Sequence, residues 1–360
     1  MTFSTVTSTK NSTPPLLRHA HLMAFESFLI QGGAPVEHYL HRNGLPVFCE
    51  DPNAFLPLLK VWSFFDDVTR HEDPEIGWLV GRHVGDKKIN AKLLREVESA
   101  PTLFQAMSRM IQKISTEATD IEIGIHRHRN DYFFYMHYPG MSGVRGYMTS
   151  QAYQISFFLG LIRHFLGQHW TPVQIGIESP VVPPMLDSYL PDCRILTKQP
   201  AGFIAVPISC VHRPVRQWDT KSGSAENPLL SQESVVQTHG PSYVDSLRLL
   251  LTPYLAEGYV SQRVAAELMS SSVRSLTRRL HGYGLTYGKV IDELRFNLAK
   301  NHLQKPNMRI AEVARHVGFK DQSDFGRMIR RVSGLNPTEL RNSLGSEDKK
   351  GTTISFLLDS

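Results

Sequence analysis

The sequence has few cysteines and no long apolar run. Its 360 residues include three cysteines, Cys49, Cys193 and Cys210, none of them in a CxxC pair. We therefore expect reduced thiols that serve as packing residues, not a disulfide framework or a zinc site. No apolar stretch approaches the roughly 20 residues needed to cross a bilayer, and the first thirty residues do not resemble a signal peptide. These absences predict a soluble, cytoplasmic protein that does not contact membranes.

The sequence also lacks the common catalytic motifs. The patterns GxSxG, HExxH, GxxxxGK[ST] and GxGxxG do not occur. His126 and His128 lie two apart on a predicted strand and could both face a metal ion. Because Arg127 and Arg129 flank them, we interpret them as the polar face of a hairpin. We therefore predict no enzyme activity, no catalytic residues, no metal and no cofactor.

The length and composition are those of a globular protein with two domains. Hydrophobic residues make up 41% of the chain and charged residues 20%, and domains usually contain roughly 100–200 residues. Residues 241–345 carry 16 Lys and Arg against 9 Asp and Glu, whereas the remaining residues carry 23 against 25. The positive charge is thus concentrated near the C-terminus, which is typical of a module that contacts phosphates.

Residues 14–218 are predicted to form a mixed α+β domain. Phe55, Leu58, Leu59, Trp62 and Phe65 recur with helical spacing and predict one buried helix face. Isoleucines alternate with other residues over 121–125, and Asn130-Asp131 offers a turn, which predicts a β-hairpin. The aromatic run 132–135 is predicted to pack in the core, with a pocket lining as the alternative. A helix is expected over 145–166, followed by strands over 173–177, 194–196 and 203–207.

Residues 219–240 are polar and rich in Ser, Gly and Asn, and we predict an inter-domain linker there. The following segment, 241–344, is predicted to be all α, with two helix-turn-helix units at about 261–282 and 309–332. Such a unit needs a supporting helix, a tight turn and a second helix with a polar outer face. A linking helix over 287–303 would be roughly 25 Å long and would join the two units.

Each predicted second helix has an apolar inner face and a polar outer face. Val273, Leu276 and Leu280 form the inner face of the first, and Phe325, Ile329 and Val332 that of the second. The outer positions hold residue types that read DNA, because Arg pairs with guanine, Gln with adenine, and Ser or Thr with bases or phosphates. The candidate DNA-binding residues are Arg274, Thr277, Arg278, Gln322, Ser323, Arg327 and Arg330. For each arginine, phosphate binding remains the alternative to base reading.

This segment resembles the DNA-binding domain of the AraC/XylS family of transcription regulators. The resemblance is carried by LTRRL at 276–280, IAEVA at 310–314, VGFKDQSDFGR at 317–327 and GLNP at 334–337. It implies that Arg274, Thr277 and Arg278 lie where the first recognition helix reaches bases, and that Gln322, Ser323 and Arg327 lie where the second does. Two positions depart from the family pattern: Gly326 replaces the usual Ser or Thr, and Ile329 replaces the usual Phe.

The N-terminal region resembles the arabinose-binding-type domain found in one branch of this family. The similar segments are EHYLHRNGLP at 37–46, DPEIG at 73–77 and APTL at 100–103. The resemblance implies a regulatory domain that senses a small-molecule effector or mediates dimerisation; it assigns no ligand residues. The resulting hypothesis is a nucleoid-associated homodimeric regulator that binds double-stranded promoter DNA and acts with RNA polymerase. The alternative is an enzyme or small-molecule-binding module whose basic helical tail contacts proteins.

Overall fold

The computed structural model describes residues 13–86, 97, 99–212, 234–237, 240–255, 257–258, 260–305 and 307–347. The chain divides into two compact units. One comprises Met1–Leu45 and Asp51–Pro241, and the other comprises Pro46–Glu50 and Ser242–Ser360. The first combines helices with sheets, as the sequence predicted, and the second is helical in its described ranges.

The first unit contains a two-stranded and a six-stranded sheet. The strands are β1 (Leu16–Arg18), β2 (Phe55–Pro57), β3 (Glu122–His128), β4 (Asp131–His137), β5 (Gln174–Gly176), β6 (Arg194–Leu196), β7 (Gly202–Pro207) and β8 (Ser234–Gln237). Strand β1 pairs antiparallel with β2. The larger sheet has the order β6-β5-β7-β4-β3-β8, in which β5 and β6 are parallel and the other pairs are antiparallel.

Eight helices of the first unit are described along with these strands. They are α1 (His19–Gln31), α2 (Val36–Arg42), α3 (Leu58–His71), α4 (Ile76–Asp86), α5 (Leu103–Lys113), α6 (Tyr147–Leu166), α7 (Pro184–Tyr189) and α8 (Ile208–Val211). The helix predicted over 145–166 corresponds to α6, and the strands predicted over 173–177, 194–196 and 203–207 correspond to β5, β6 and β7. The ends differ by at most two residues. The hairpin prediction is confirmed, and its turn consists of Arg129 and Asn130. The aromatic run 132–135 is buried, as expected for core residues.

Helices α4 and α6 approach each other closely because two glycines face the contact. A Cβ atom on Gly77 would lie 2.4 Å from the carbonyl oxygen of Thr149, and one on Gly81 would lie 2.5 Å from that of Tyr153. The hydroxyl of Ser156 on α6 donates a hydrogen bond to the carbonyl of Trp78, at 3.0 Å. A larger residue at either glycine would push the helices apart.

Two predictions for the first unit are wrong in part. Phe55 lies in β2 opposite Arg18, so the predicted helix begins only at Leu58, and Leu59 is 40% exposed. Ser234–Gln237, inside the predicted linker, forms β8 and pairs with β3. Polar composition did not reveal this strand, because an edge strand is held by backbone hydrogen bonds. Residues 219–233, 238 and 239 of the predicted linker lie outside the described residues.

The second unit contains seven helices in its described ranges. They are α9 (Tyr243–Leu255), α10 (Gln262–Leu268), α11 (Val273–Gly282), α12 (Tyr287–Leu303), α13 (Ile310–His316), α14 (Gln322–Ser333) and α15 (Pro337–Glu347). The linking helix has the predicted bounds. One apolar core brings together buried side chains from α12, α13, α14 and α15, among them Ala299, Val313, Phe325 and Leu340.

Candidate nucleic-acid interface

The first helix pair of the second unit is α10 and α11. The hydroxyl of Ser261 caps α10 by accepting from the Val264 N–H at 3.3 Å, and that of Ser272 caps α11 by accepting from the Ser275 N–H at 3.2 Å. Such caps satisfy N–H groups that a helix leaves without partners. They fix the point at which α11 begins, and therefore which of its residues face outward.

The inner face of α11 is formed by Leu276 and Leu280, which are fully buried. Val273 was predicted to share this face but is 40% exposed. The prediction was wrong because Val273 is the first residue of the helix. At a helix end, spacing alone does not show whether another element packs over the side chain.

The three candidate DNA-binding residues of α11 differ in their surroundings. Arg274 and Arg278 are exposed, whereas Thr277 is half-buried. The Thr277 hydroxyl donates to the carbonyl of Val273 at 2.9 Å and accepts from the side-chain amide of Gln262 at 2.8 Å. Thr277 therefore links α11 to α10, and its hydroxyl already has partners within the helix pair.

The second helix pair is α13 and α14. At the start of α13 the Glu312 carboxylate accepts from the N–H of Arg309 at 2.9 Å. Asp321 caps α14 by accepting from the N–H of Ser323 at 2.5 Å. Hydrogen bonding to Ser323 lowers the pKa of Asp321 below the usual carboxyl value. The capping group is therefore an anion at neutral pH, and it also interacts favourably with the positive end of the helix dipole.

The buried face of α14 differs from the prediction at one position. Phe325 and Ile329 are fully buried as predicted, but Val332 is 39% exposed. Met328 is buried instead. Helical spacing is compatible with burial of either Met328 or Val332 beside Phe325 and Ile329. In the structure Met328 is the one that packs in the core with the other helices.

The candidate residues of α14 form an exposed, positively charged surface. Gln322, Ser323, Arg327 and Arg330 are all exposed. A shallow groove beside α14 brings together three of these four with residues from the turn that precedes α15. Its lining residues are Ser323, Gly326, Arg327, Arg330, Arg331, Asn336 and Pro337.

Two arginines of this surface are paired with carboxylates. Arg327 forms an ion pair with Asp324, one turn earlier on the same helix. Arg331, which was not among the predicted site residues, forms an ion pair with Asp292 of α12 at 2.6 Å. The sequence signal for Arg331 was its position next to Arg330 in a basic segment. The pair joins α14 to α12 on the solvent side.

Gly326 lies in the middle of α14 and faces open space. A Cβ atom built on it would have no neighbour within 4 Å. The departure from the family pattern at this position is therefore not required by packing.

The described residues contain no group of three or more His, Cys, Asp and Glu side chains placed to hold a metal ion. His126 and His128 lie on β3, where the ring of His128 contacts that of Phe133. None of the three cysteines forms a disulfide, and all three are half-buried; burial raises the pKa of the Cys193 thiol to about 11. In the described ranges, none of the helices combines the length and apolar character that a membrane crossing requires.

Residues 265–343 match the family model described as a helix-turn-helix domain. Over 79 residues the chain is 37% identical to the ornithine utilization regulator of Pseudomonas aeruginosa. This aligned segment covers 22% of this chain and 23% of that protein. It is 29% identical over 116 residues to the transcriptional activator RhaS of an Enterobacter species, covering 31% of this chain and 41% of that protein. The chain thus spans less than half the length of these relatives.

Among solved structures, the transcriptional regulator CdpR of Pseudomonas aeruginosa aligns with 90% of this chain and 98% of its own. The identity is 18% and the TM-score 0.36, which is too low to establish a common fold. The exposed polar faces of α11 and α14 and the matching family model define a helix-turn-helix DNA-binding domain. The matched residues 265–343 include the segments in which the sequence resembles the AraC/XylS family.

Proposed function

We propose that this protein is a transcription regulator that binds promoter DNA sequence-specifically through two helix-turn-helix units, at about 261–282 and 309–332. The observation that carries the proposal is that both α11 and α14 expose arginines at the positions where the family resemblance places base contacts. Arg274 and Arg278 provide them on α11, and Arg327 on α14; Arg330 is a further exposed arginine of α14 that the resemblance does not place. Arginine is the side chain best suited to bidentate guanine recognition.

Each helix pair would then place its second helix in a major groove. Helix α12 has 17 residues and is therefore about 25 Å long. That length, together with the width of the recognition helices, suits two successive major-groove segments about 34 Å apart. One chain would read two adjacent stretches of the same DNA face.

The remaining parts of the proposal concern control. Residues 14–218 would act as the regulatory domain, through a small-molecule effector or dimerisation, and the DNA-bound protein would act with RNA polymerase. We propose a regulatory role and not a catalytic one, because the matching relatives are named as regulators.

The test is a gel-shift titration of the full-length protein on the DNA upstream of its own gene and on random DNA of equal length. We expect tighter binding to the upstream DNA and a steep loss of affinity with rising salt, because Lys and Arg release counterions from phosphates. Equal binding to both DNAs, or no binding at all, would refute the proposal.

A further inference from the structure

The first unit contains an apolar cavity enclosed by α1, α3, α4, α5, α6 and the end of β4. Its volume is about 70 Å³. Most of the lining is aliphatic or aromatic, including Phe65, Val84, Met110, Ile114 and Phe158.

One side of this cavity carries a chain of three polar side chains. Glu117, His21 and Tyr153 all line it. His21 Nε2 lies 3.3 Å from a Glu117 carboxylate oxygen, and His21 Nδ1 lies 3.1 Å from the Tyr153 hydroxyl. A neutral His21 would donate to Glu117 through Nε2 and accept from Tyr153 through Nδ1, which leaves lone pairs on the tyrosine oxygen.

The charges around the cavity favour a neutral ligand. Glu117 is almost fully buried, and its carboxylate lies 3.6 Å from Nε of Arg18. Because Arg18 already offsets the charge of this carboxylate, an ionic ligand of either sign would give up its hydration without gaining an unpaired counter-charge. Burial raises the pKa of Tyr153 above its ordinary value of 10.0, so its hydroxyl stays protonated: its hydrogen is donated to His21, and its oxygen can accept a hydrogen bond from a ligand.

The shape and the aromatic lining favour a single ring. Phe65, Tyr138, Phe157 and Phe158 line the cavity together with Tyr153, and aromatic rings pack well in edge-to-face or offset contacts. An engineered apolar cavity of about 150 Å³ in another protein holds benzene. The cavity here, at about 70 Å³, is smaller than that, so one ring is the largest aromatic group expected in it, with displacement of flexible lining side chains such as Met110.

We propose that the cavity binds a small neutral aromatic molecule that carries a hydroxyl group, and that this group donates a hydrogen bond to the Tyr153 oxygen. This inference rests on the proposed function, because it gives the effector a binding site and a chemical class. It goes further by naming Tyr153 as the residue that distinguishes polar from purely apolar rings.

The experiment measures binding of phenol, toluene and benzoate to the full-length protein by isothermal titration calorimetry. Phenol should bind more tightly than toluene, by on the order of fivefold for one net hydrogen bond, and benzoate should bind least. Tyr153→Phe should remove the preference for phenol and retain the binding of toluene. Tyr132→Phe, a buried tyrosine outside the cavity, is the matched control and should behave like the wild type.

A second pair of variants locates the site. Ala20 lines the cavity and is half-buried, so Ala20→Leu should reduce phenol affinity at least tenfold by occupying the space. Ala34 is also half-buried and does not line the cavity, so Ala34→Leu should leave phenol binding unchanged. Unchanged phenol binding in Ala20→Leu would overturn the inference.

DNA binding is measured separately, with and without phenol. Absence of phenol binding in a protein that still recognises its upstream DNA would overturn the cavity inference and leave the proposed function standing. Phenol binding with the expected variant effects, in a protein without DNA affinity, would support the cavity and refute the proposed function.

Discussion

The guanidinium of Arg295 lies over the ring of Phe319, with its central carbon 4.6 Å from the ring centroid. Arg295 is on α12 and is almost fully buried, although it lies on a helix with many charged residues. One of its nitrogens also donates to the carbonyl of Gly318, at 3.4 Å. Arg295 thus connects α12 to the turn between α13 and α14, and so positions the start of α14.

Replacing Arg295 by Lys should weaken this connection. Lys keeps the positive charge but loses the planar group that stacks on Phe319. We expect the free energy of unfolding to fall by about 1–2 kcal/mol, measured by urea denaturation of the full-length protein. Arg263→Lys is the control, because Arg263 is 80% exposed. Equal stability of the two variants would contradict the role given to Arg295.

Gly318→Ala should destabilise the second unit strongly. Gly318 has φ of +81°, and a Cβ atom there would lie 2.7 Å from the Leu255 carbonyl oxygen. The strain and the clash together should lower the free energy of unfolding by about 3–5 kcal/mol.

Gly334→Ala is the matched control for Gly318→Ala. Its φ is +77°, but a Cβ atom would have no neighbour within 4 Å. The Ala side chain should therefore introduce only conformational strain, which lowers the free energy of unfolding by about 1–2 kcal/mol. Similar losses for both variants would mean that the close contact at Gly318 is unimportant.

Arg278→Ala and Arg327→Ala should each weaken binding to the promoter. If each arginine reads a base, its loss should reduce the binding free energy by about 1–3 kcal/mol and relax the preference at one base pair. Binding is measured by gel shift on the upstream DNA and on a set of single-base variants of it. Arg263→Ala, on the supporting helix α10, should have a much smaller effect. A uniform loss on all DNA sequences would reassign the arginine to phosphate binding.

Gly326→Ser should raise both helix stability and DNA affinity. The position faces open space, and Ser is a better helix former than Gly by roughly 0.5 kcal/mol. The new hydroxyl could also donate to a phosphate oxygen. Gly326→Ala separates the two effects, because it should stabilise by about 1 kcal/mol without the added DNA contact. Equal DNA affinity for the Ser and Ala variants would exclude the phosphate contact.

Glu178→Gln should change the pH dependence of stability. Burial raises the pKa of Glu178 above the usual 4.5, although hydrogen bonds from Tyr147 and Gln151 act in the opposite direction. Because the folded state holds its proton more tightly, the wild type should lose stability as pH rises from the usual carboxyl pKa through the raised one. The Gln variant has no carboxyl group to titrate at this position, so its stability relative to the wild type should rise over that pH interval.

The measurement is thermal unfolding of the wild type and Glu178→Gln between about pH 4 and pH 8. Glu37 is exposed on α2, so Glu37→Gln serves as the control. A difference between wild type and Glu178→Gln that stays constant with pH would show that the Glu178 carboxyl does not titrate with a raised pKa in the folded protein.

The sequence by itself determined the helices of the second unit and most of the surface they expose. Caps and helical spacing act over three or four residues, so α11, α12 and α14 were predicted closely, with Arg274, Arg278, Gln322, Ser323, Arg327 and Arg330 on the outside. The same local rules located the β3–β4 hairpin. They also predicted wrongly that Val273 and Val332 are buried. Helical spacing predicts the direction of a side chain, but not whether other residues pack over it.

The tertiary structure decided what depends on residues far apart in the chain. Strand β8 exists through backbone pairing with β3, which is more than 100 residues away. Burial of Arg295 requires Phe319, and the contact of α4 with α6 requires glycines that face carbonyl groups some 70 residues later. The cavity beside Tyr153 is bounded by five helices and a strand, and no local pattern encodes an empty space between them.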